Sequence, residues 1–163
     1  MLPTSKSAEL GILWSYNNKE SNRWLLESIE TCKTQKFVWW DVGWPVRFDH
    51  RFQFPVRGYI WTTAEQKVTA VASIEHESRT VTQPDMTLAR EVDANWRKLG
   101  LHFNLNDPLH KYLDSKRKIV TLFKFSDIEK LAPAKGIENF RHPDGRPVLL
   151  PIRRGSIIII PDF

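Results

Sequence analysis

Cysteine is nearly absent from this chain, with Cys32 alone among 163 residues. An intramolecular disulfide and a thiolate metal cluster are both excluded, and such usage suits the reducing cytoplasm. Long apolar runs are missing too. The longest, Ile157–Ile160, is strand-sized and far short of the ~20 residues that cross a bilayer. The N-terminus lacks the basic, apolar and cleavage segments of a secretory signal. Common enzyme signatures are also missing: there is no phosphate-binding glycine loop ending in Gly-Lys, no GxSxG, no HExxH and no CxxC. The five histidines are scattered without metal-ligand spacing. Asp41, Asp49 and His50 could form a small acid–base group, which keeps a metal-dependent nuclease as an alternative. Pro84-Asp85, followed by Glu91 and Asp93, lacks the paired lysine of a restriction-nuclease core. A stand-alone enzyme is therefore not expected, nor is any cofactor or metal.

What the chain does carry is indole and positive charge. Seven Trp and nine Phe stand against three Tyr, and the net charge is +5. Much of the basic excess lies late, in Lys116-Arg117-Lys118, Arg141-His142, Arg146 and Arg153-Arg154. Such clustering fits a polyanionic partner, with a merely solvated basic face as the plainer account. In Phe37–Trp44, FVWWDVGW, three tryptophans fall within six positions. If this piece is extended, Trp39 and Trp40 face opposite sides, so at most one lines a given pocket. Trp44 sits between Gly43 and Pro45, in a loop. Trp24 and Trp96 occupy apolar helix positions and read as core, whereas Trp14 and Trp61 end strands and are undecided. A base stacked on an aromatic ring gains about 1–3 kcal/mol, while flipping it from a duplex costs a few kcal/mol. A buried methyl adds only about 0.8 kcal/mol. A reader of modified bases thus needs two walls and hydrogen bonds to the base edge. If the Trp cluster is simply core, a protein-interaction domain is the bland alternative.

The chain shows no repeat, linker or low-complexity tract, and reads as a single domain over 1–163. Glu9–Trp14 predicts a first strand, and Ser21 caps a helix through Trp24, Leu25, Ile29 and Cys32. A short extended piece follows at Phe37–Trp40. Gly58–Thr62 and Lys67–Glu75 predict a hairpin, the second strand alternating Val68, Ala70, Ala72, Ile74 against polar neighbours. Pro84–Leu99 predicts an amphipathic helix ended by Gly100, and Asp107-Pro108 starts another through Leu109, Tyr112 and Leu113. Ile119–Phe125 reads as a strand, Asp127–Leu131 as a helical turn and Ser156–Ile160 as a closing strand. The order predicts an α+β fold, a curved, mainly antiparallel sheet or small barrel with flanking helices.

Five short features in this order resemble the YTH domains, and more broadly the EVE and PUA-like superfamily of modified-nucleotide readers. They are Trp14-Ser15-Tyr16-Asn17-Asn18 before the first helix, Val38-Trp39-Trp40, the Tyr59–Thr63 and Lys67–Glu75 hairpin, Leu122–Ile128, and Arg146-Pro147-Val148 before Arg153-Arg154-Gly155. Residues 76–118 do not take part in the resemblance. It implies a base held in an aromatic cage, with Trp39 as one wall and Ser15, Tyr16 and Asn17 at the base edge. A backbone carbonyl near the first wall would accept the remaining N6 hydrogen of N6-methyladenine, and Asp41 is a further acceptor. The family's second cage Trp is missing from the late strand, so Phe123 or Trp44 would substitute. Arg153 and Arg154 would hold phosphate; outside the resemblance, the clustered charge of Lys116-Arg117-Lys118 makes that run a further candidate for backbone contact. Compact domains of this kind open McrB-type modification-dependent restriction proteins, in which an AAA+ GTPase and a nuclease act on the DNA. The expectation is a domain from the N-terminus of a longer protein that binds methylated DNA, with methylated RNA as the alternative ligand.

Overall fold

Two-residue alternation builds the sheet. Ile12 and Trp14 project to one side of the first strand and Leu13 to the other, and each side packs against different partners. The computed structural model describes residues 9–42, 45–48, 50–83, 85–97, 120–152 and 156–163. The strands are β1 (Gly11–Tyr16), β2 (Val38–Val42), β3 (Val56–Thr62), β4 (Lys67–Ile74), β5 (Arg79–Val81), β6 (Val120–Lys135), β7 (Phe140–Arg141) and β8 (Ser156–Pro161). The helices are α1 (Arg23–Gln35) and α2 (Met86–Arg97), with a 3-10 turn at Ile137–Asn139. The sheet runs β2-β6-β4-β3-β1-β8-β7, with β5 also paired to β6. Among the described residues only β1 and β3 pair in parallel; the other described pairs are antiparallel. The expected α+β class with a mainly antiparallel sheet is observed, as an open sheet and not a closed barrel.

The sheet is strongly curved, and aromatic packing shows by how much. β1 and β6 are three strand steps apart, roughly 14 Å along a flat sheet. Yet the ring of Trp14 on β1 stacks on Phe123 of β6 with centroids 5.1 Å apart, and on Phe125 at 5.8 Å. Side chains on the concave face converge, so Trp14, Trp40, Ile60, Ala72, Phe123 and Phe125 form one core. Helix α1 closes it with Leu25, Ile29 and Cys32. The convex side carries two separate clusters, one between β2, β6 and α2, the other around Tyr59, Trp61, Phe140 and Val148.

Gly58 of β3 lies directly under the Trp14 indole, and a Cβ there would come within 2.6 Å of the ring. The close approach of strand and ring requires glycine at this point.

One expected element is corrected. Asp127–Leu131 is not a helical turn but the middle of β6, a strand of 16 residues. A register shift against β4 interrupts the alternation, since Ile74 pairs with Phe125 while Ser73 pairs with Asp127. Phe125 and Ile128 therefore reach the same concave core three residues apart. That spacing imitates a helix. The expected helix after Asp107-Pro108 lies outside the described residues.

Two outcomes are expected. Gly58→Ala should lower stability by about 1–3 kcal/mol, the cost of overpacking, read as a shift in the denaturant midpoint. Burial lifts the Cys32 thiol from 9.0 to about 12, and the Asp127 carboxylate pushes the same way. The folded chain thus holds this proton more tightly than the unfolded chain does. The contribution is complete below pH 9 and is lost as pH rises towards 12. Cys32 should resist alkylation at pH 8 in the native protein and react once urea unfolds it.

Candidate functional site

β2 lies at the edge of the sheet with β6 as its strand neighbour, so its outer N–H and C=O groups need other partners. Helix α2 supplies them through side chains. The Trp39 N–H donates to Asn95 Oδ1 at 3.0 Å, and Asn95 Nδ2 donates to the Phe37 carbonyl at 3.3 Å. The Trp96 indole N–H donates to the Trp39 carbonyl at 2.9 Å. Two consecutive helical residues thus do the work of a missing strand.

The sequence of α2 explains its seat. Asp85 precedes the helix and its carboxylate accepts from the Leu88 N–H at 3.0 Å, an N-terminal cap. Leu88, Val92 and Trp96 recur every four residues and pack on Trp39, Val81 and Leu122. Trp39 is 1% exposed and Trp96 4%. The Trp39 indole N–H has no hydrogen-bond partner despite its burial. By alternation the half-buried Asp41 shares the Trp39 side of β2. Opposite Trp39 on β6 stands Lys124. Its ammonium lies 4.7 Å from the centre of the Phe37 ring and 5.6 Å from that of Trp39. It also lies 3.8 Å from Glu77 and 3.9 Å from Glu91 of α2. Between edge strand and helix there is thus a seam with two indoles, an unpartnered ring N–H, a carboxylate and a lysine. Such a set suits a flat heterocycle that carries donors and acceptors on its rim.

The remaining sequence candidates do not converge there. Trp40 projects to the concave side, opposite Trp39, as alternation predicts. Phe123 pairs with Trp40, is fully buried and stacks on Trp14. It therefore stands on the face opposite Trp39 and cannot wall a pocket with it. Tyr16 is also concave, edge-on to Trp40 at 5.5 Å. Burial raises its phenol pKa, against the backbone N–H groups of Leu25 and Trp24 at the start of α1. Ser15 alternates to the side of Leu13 on β1, four strands from β2 on the convex face, where side chains diverge.

Asn17 and Asn18 are engaged in fastening the first turn to the β3–β4 hairpin. Asn17 Oδ1 accepts from Thr63 Oγ1 at 3.0 Å, and Asn18 Oδ1 from the Ala64 N–H at 2.9 Å. Asn18 Nδ2 donates to Glu65 at 2.9 Å. The Thr62 hydroxyl first, and Asn18 after it, hold the Glu65 carboxyl below the usual range by hydrogen bonding to it. Trp44, Asp49, Lys116, Arg117, Lys118, Arg153 and Arg154 lie outside the described residues.

Sequence reasoning missed Asn95 and Lys124, and took Trp96 for core. Trp96 is indeed buried, but its N–H is spent on the edge of β2. The available signal was Asn95, a polar residue next to Trp96 that is itself buried.

The C-terminal basic residues are partly neutralised. Arg146 Nε lies 2.7 Å from Asp144, and Arg141 pairs with Asp162 at 2.6 Å. The Asp144-Gly145-Arg146 stretch is a tight turn, Gly145 adopting φ +90° and its N–H donating to the His142 carbonyl at 2.9 Å. Beyond it an apolar groove of about 540 Å³ is lined by His142, Arg146, Val148, Leu149, Ile152 and Ile157 among others. Glu75, His76 and Glu77 place ligand atoms within 4.8 Å of one another. Glu75 accepts from Ser126 Oγ, and Glu77 faces Lys124 and His76. Among the described residues no helix is long and apolar enough to cross a membrane.

No protein-family model matches the chain, and no curated protein matches it significantly. Among solved structures it is similar to a point mutant of the ZmASCH protein from Zymomonas mobilis. That chain is 12% identical, with a TM-score of 0.42 over 78% of this chain and 76% of the other. At that level the similarity carries no functional weight, and the site stands on its own geometry.

Trp96→Phe keeps a ring in the seam but leaves the buried Trp39 carbonyl without its donor. It should cost about 1–3 kcal/mol, measured by denaturant unfolding.

Proposed function

We propose that this chain is a nucleic-acid-binding specificity module that takes a methylated base, most favourably N6-methyladenine in DNA, between Trp39 and Trp96. The observation that carries the reading is that these two buried tryptophans share one cluster at the β2–α2 seam, where the Trp96 indole N–H donates to the Trp39 carbonyl. The family resemblance independently nominates Trp39 as a wall. Trp96 supplies the second wall that the late strand lacks.

The energetics suit this use. Stacking on one ring gives about 1–3 kcal/mol, and a second ring brings the total to the scale of flipping a base. The methyl adds only about 0.8 kcal/mol, so polar contacts must read the rim. The Trp39 carbonyl or Asp41 accepts the one remaining N6 hydrogen. An unmethylated base leaves the apolar part of the seam unfilled. The net charge of +5 favours a polyanion, and Lys124 lies beside the seam. The partners on this reading are methylated DNA and, in other domains or subunits, the AAA+ GTPase and nuclease of a restriction complex. The module itself cuts nothing.

A panel of oligonucleotides with adenine and cytosine modifications, duplex and single-stranded, tests the proposal. Methylated duplex should bind more tightly than unmethylated, and Trp39→Ala should abolish the difference. Equal affinity of the wild-type chain for both duplexes overturns the reading. Competition with methylated RNA of the same sequence separates DNA from RNA. Affinity should fall with salt with a logarithmic slope of roughly −0.9 per phosphate contact.

A further inference from the structure

We propose, resting on the reading just given, that α2 is an internal occupant of the base seam and that the ligand must displace it. The groups a base would use are already in use. The Trp39 carbonyl holds the Trp96 indole N–H, and the Trp39 N–H holds the Asn95 amide oxygen. With Trp39 1% exposed, neither ring face is open to a base. The Trp96 N–H thus already holds the backbone acceptor a base would use, and a base can enter between the two rings only after α2 has moved outward.

The seat is built to be left. Three hydrogen bonds from two adjacent side chains tie α2 to the edge of β2, and a carbonyl or amide released there can be satisfied by water or ligand. The apolar tie is one face of a helix of 12 residues. The concave core does not share this arrangement, because α2 packs on the convex side and contributes nothing to it. The helix can therefore move outward by one ring thickness without opening the main core. Lys124 adds a route by which DNA would promote the movement. Its ammonium is tied to Glu91 of α2 at 3.9 Å and is 20% exposed. A phosphate that captures Lys124 removes that tie. The closed state lowers apparent affinity by the fraction of molecules in which the seam is open.

The test has two arms on the intact chain. In binding, Asn95→Ala and Leu88→Ala both loosen α2 while keeping the Trp39 and Trp96 rings. Each should bind methylated duplex about threefold to tenfold more tightly than the wild type. If the wild type discriminates methylated from unmethylated duplex and these variants bind no more tightly, the occupant proposal is overturned while the base-reading proposal stands. In native-state hydrogen exchange of the ligand-free wild type, the Trp39 amide and the α2 amides should exchange together. They should do so ahead of Ile12–Trp14 and Ile60 in the concave core. Exchange of α2 only with global unfolding makes the helix a fixed wall and overturns the proposal, even where no methyl discrimination is found or a variant fails to fold.

Discussion

The Trp14 indole, lying across the hollow of the sheet onto Phe123 and Phe125, is the contact on which the remaining architecture depends. It joins β1 to β6 across two intervening strands and so fixes how far the sheet bends. Gly58 leaves room for the ring, and α1 seals the hollow from one side. Bending that draws concave side chains together spreads the convex ones apart. The convex face therefore cannot form one continuous core, and it divides into a cluster at each end. The β2–α2 seam is the cluster at the β2 end.

That division gives the molecule two kinds of aromatic packing. The concave rings contact one another closely, with Trp24 stacked on Trp40 at 4.2 Å and Phe123 on Phe125 at 5.7 Å. The convex pair, Trp39 and Trp96, belongs to a smaller cluster held by one helix face and by side chains at a strand edge. A buried indole N–H without a partner is costly, and Trp39 carries one at the place where strand meets helix. Trp14 and Trp61 carry one as well. Trp14 lies in the middle of the main core and Trp61 on a central strand, and neither adjoins a strand edge.

Most of the fold was legible from local pattern, because alternation and helical spacing operate residue by residue. β4, α1, α2 and β8 fall close to their expected limits, and the opposed faces of Trp39 and Trp40 follow from alternation alone. The middle of β6 was misread because a register shift set Phe125 and Ile128 three apart on one face. β5 and β7, at three and two residues, carry too little pattern to announce themselves. The site was harder. Trp39 and Asp41 were readable from a short motif, but their neighbours on α2 come from a stretch that resembles nothing in the family. Phe123 was a plausible second wall by sequence, and the parity of its strand excludes it. Asn17 suited a base edge by type, yet its hydrogen bonds go to the hairpin, a long-range partner that no local pattern reveals.

The Trp14 contact also governs when the protein can become itself. Its partners on β6 come late in the chain, and β8, which flanks β1, comes later still. Contacts so distant in sequence close slowly, because the entropy of the intervening loop is lost before the packing energy returns. On the ribosome, β1 emerges first and waits without its stacking partners until nearly the whole domain has been made. The first strand, with its apolar Ile12, Leu13 and Trp14, is thus the segment most dependent on shielding during synthesis.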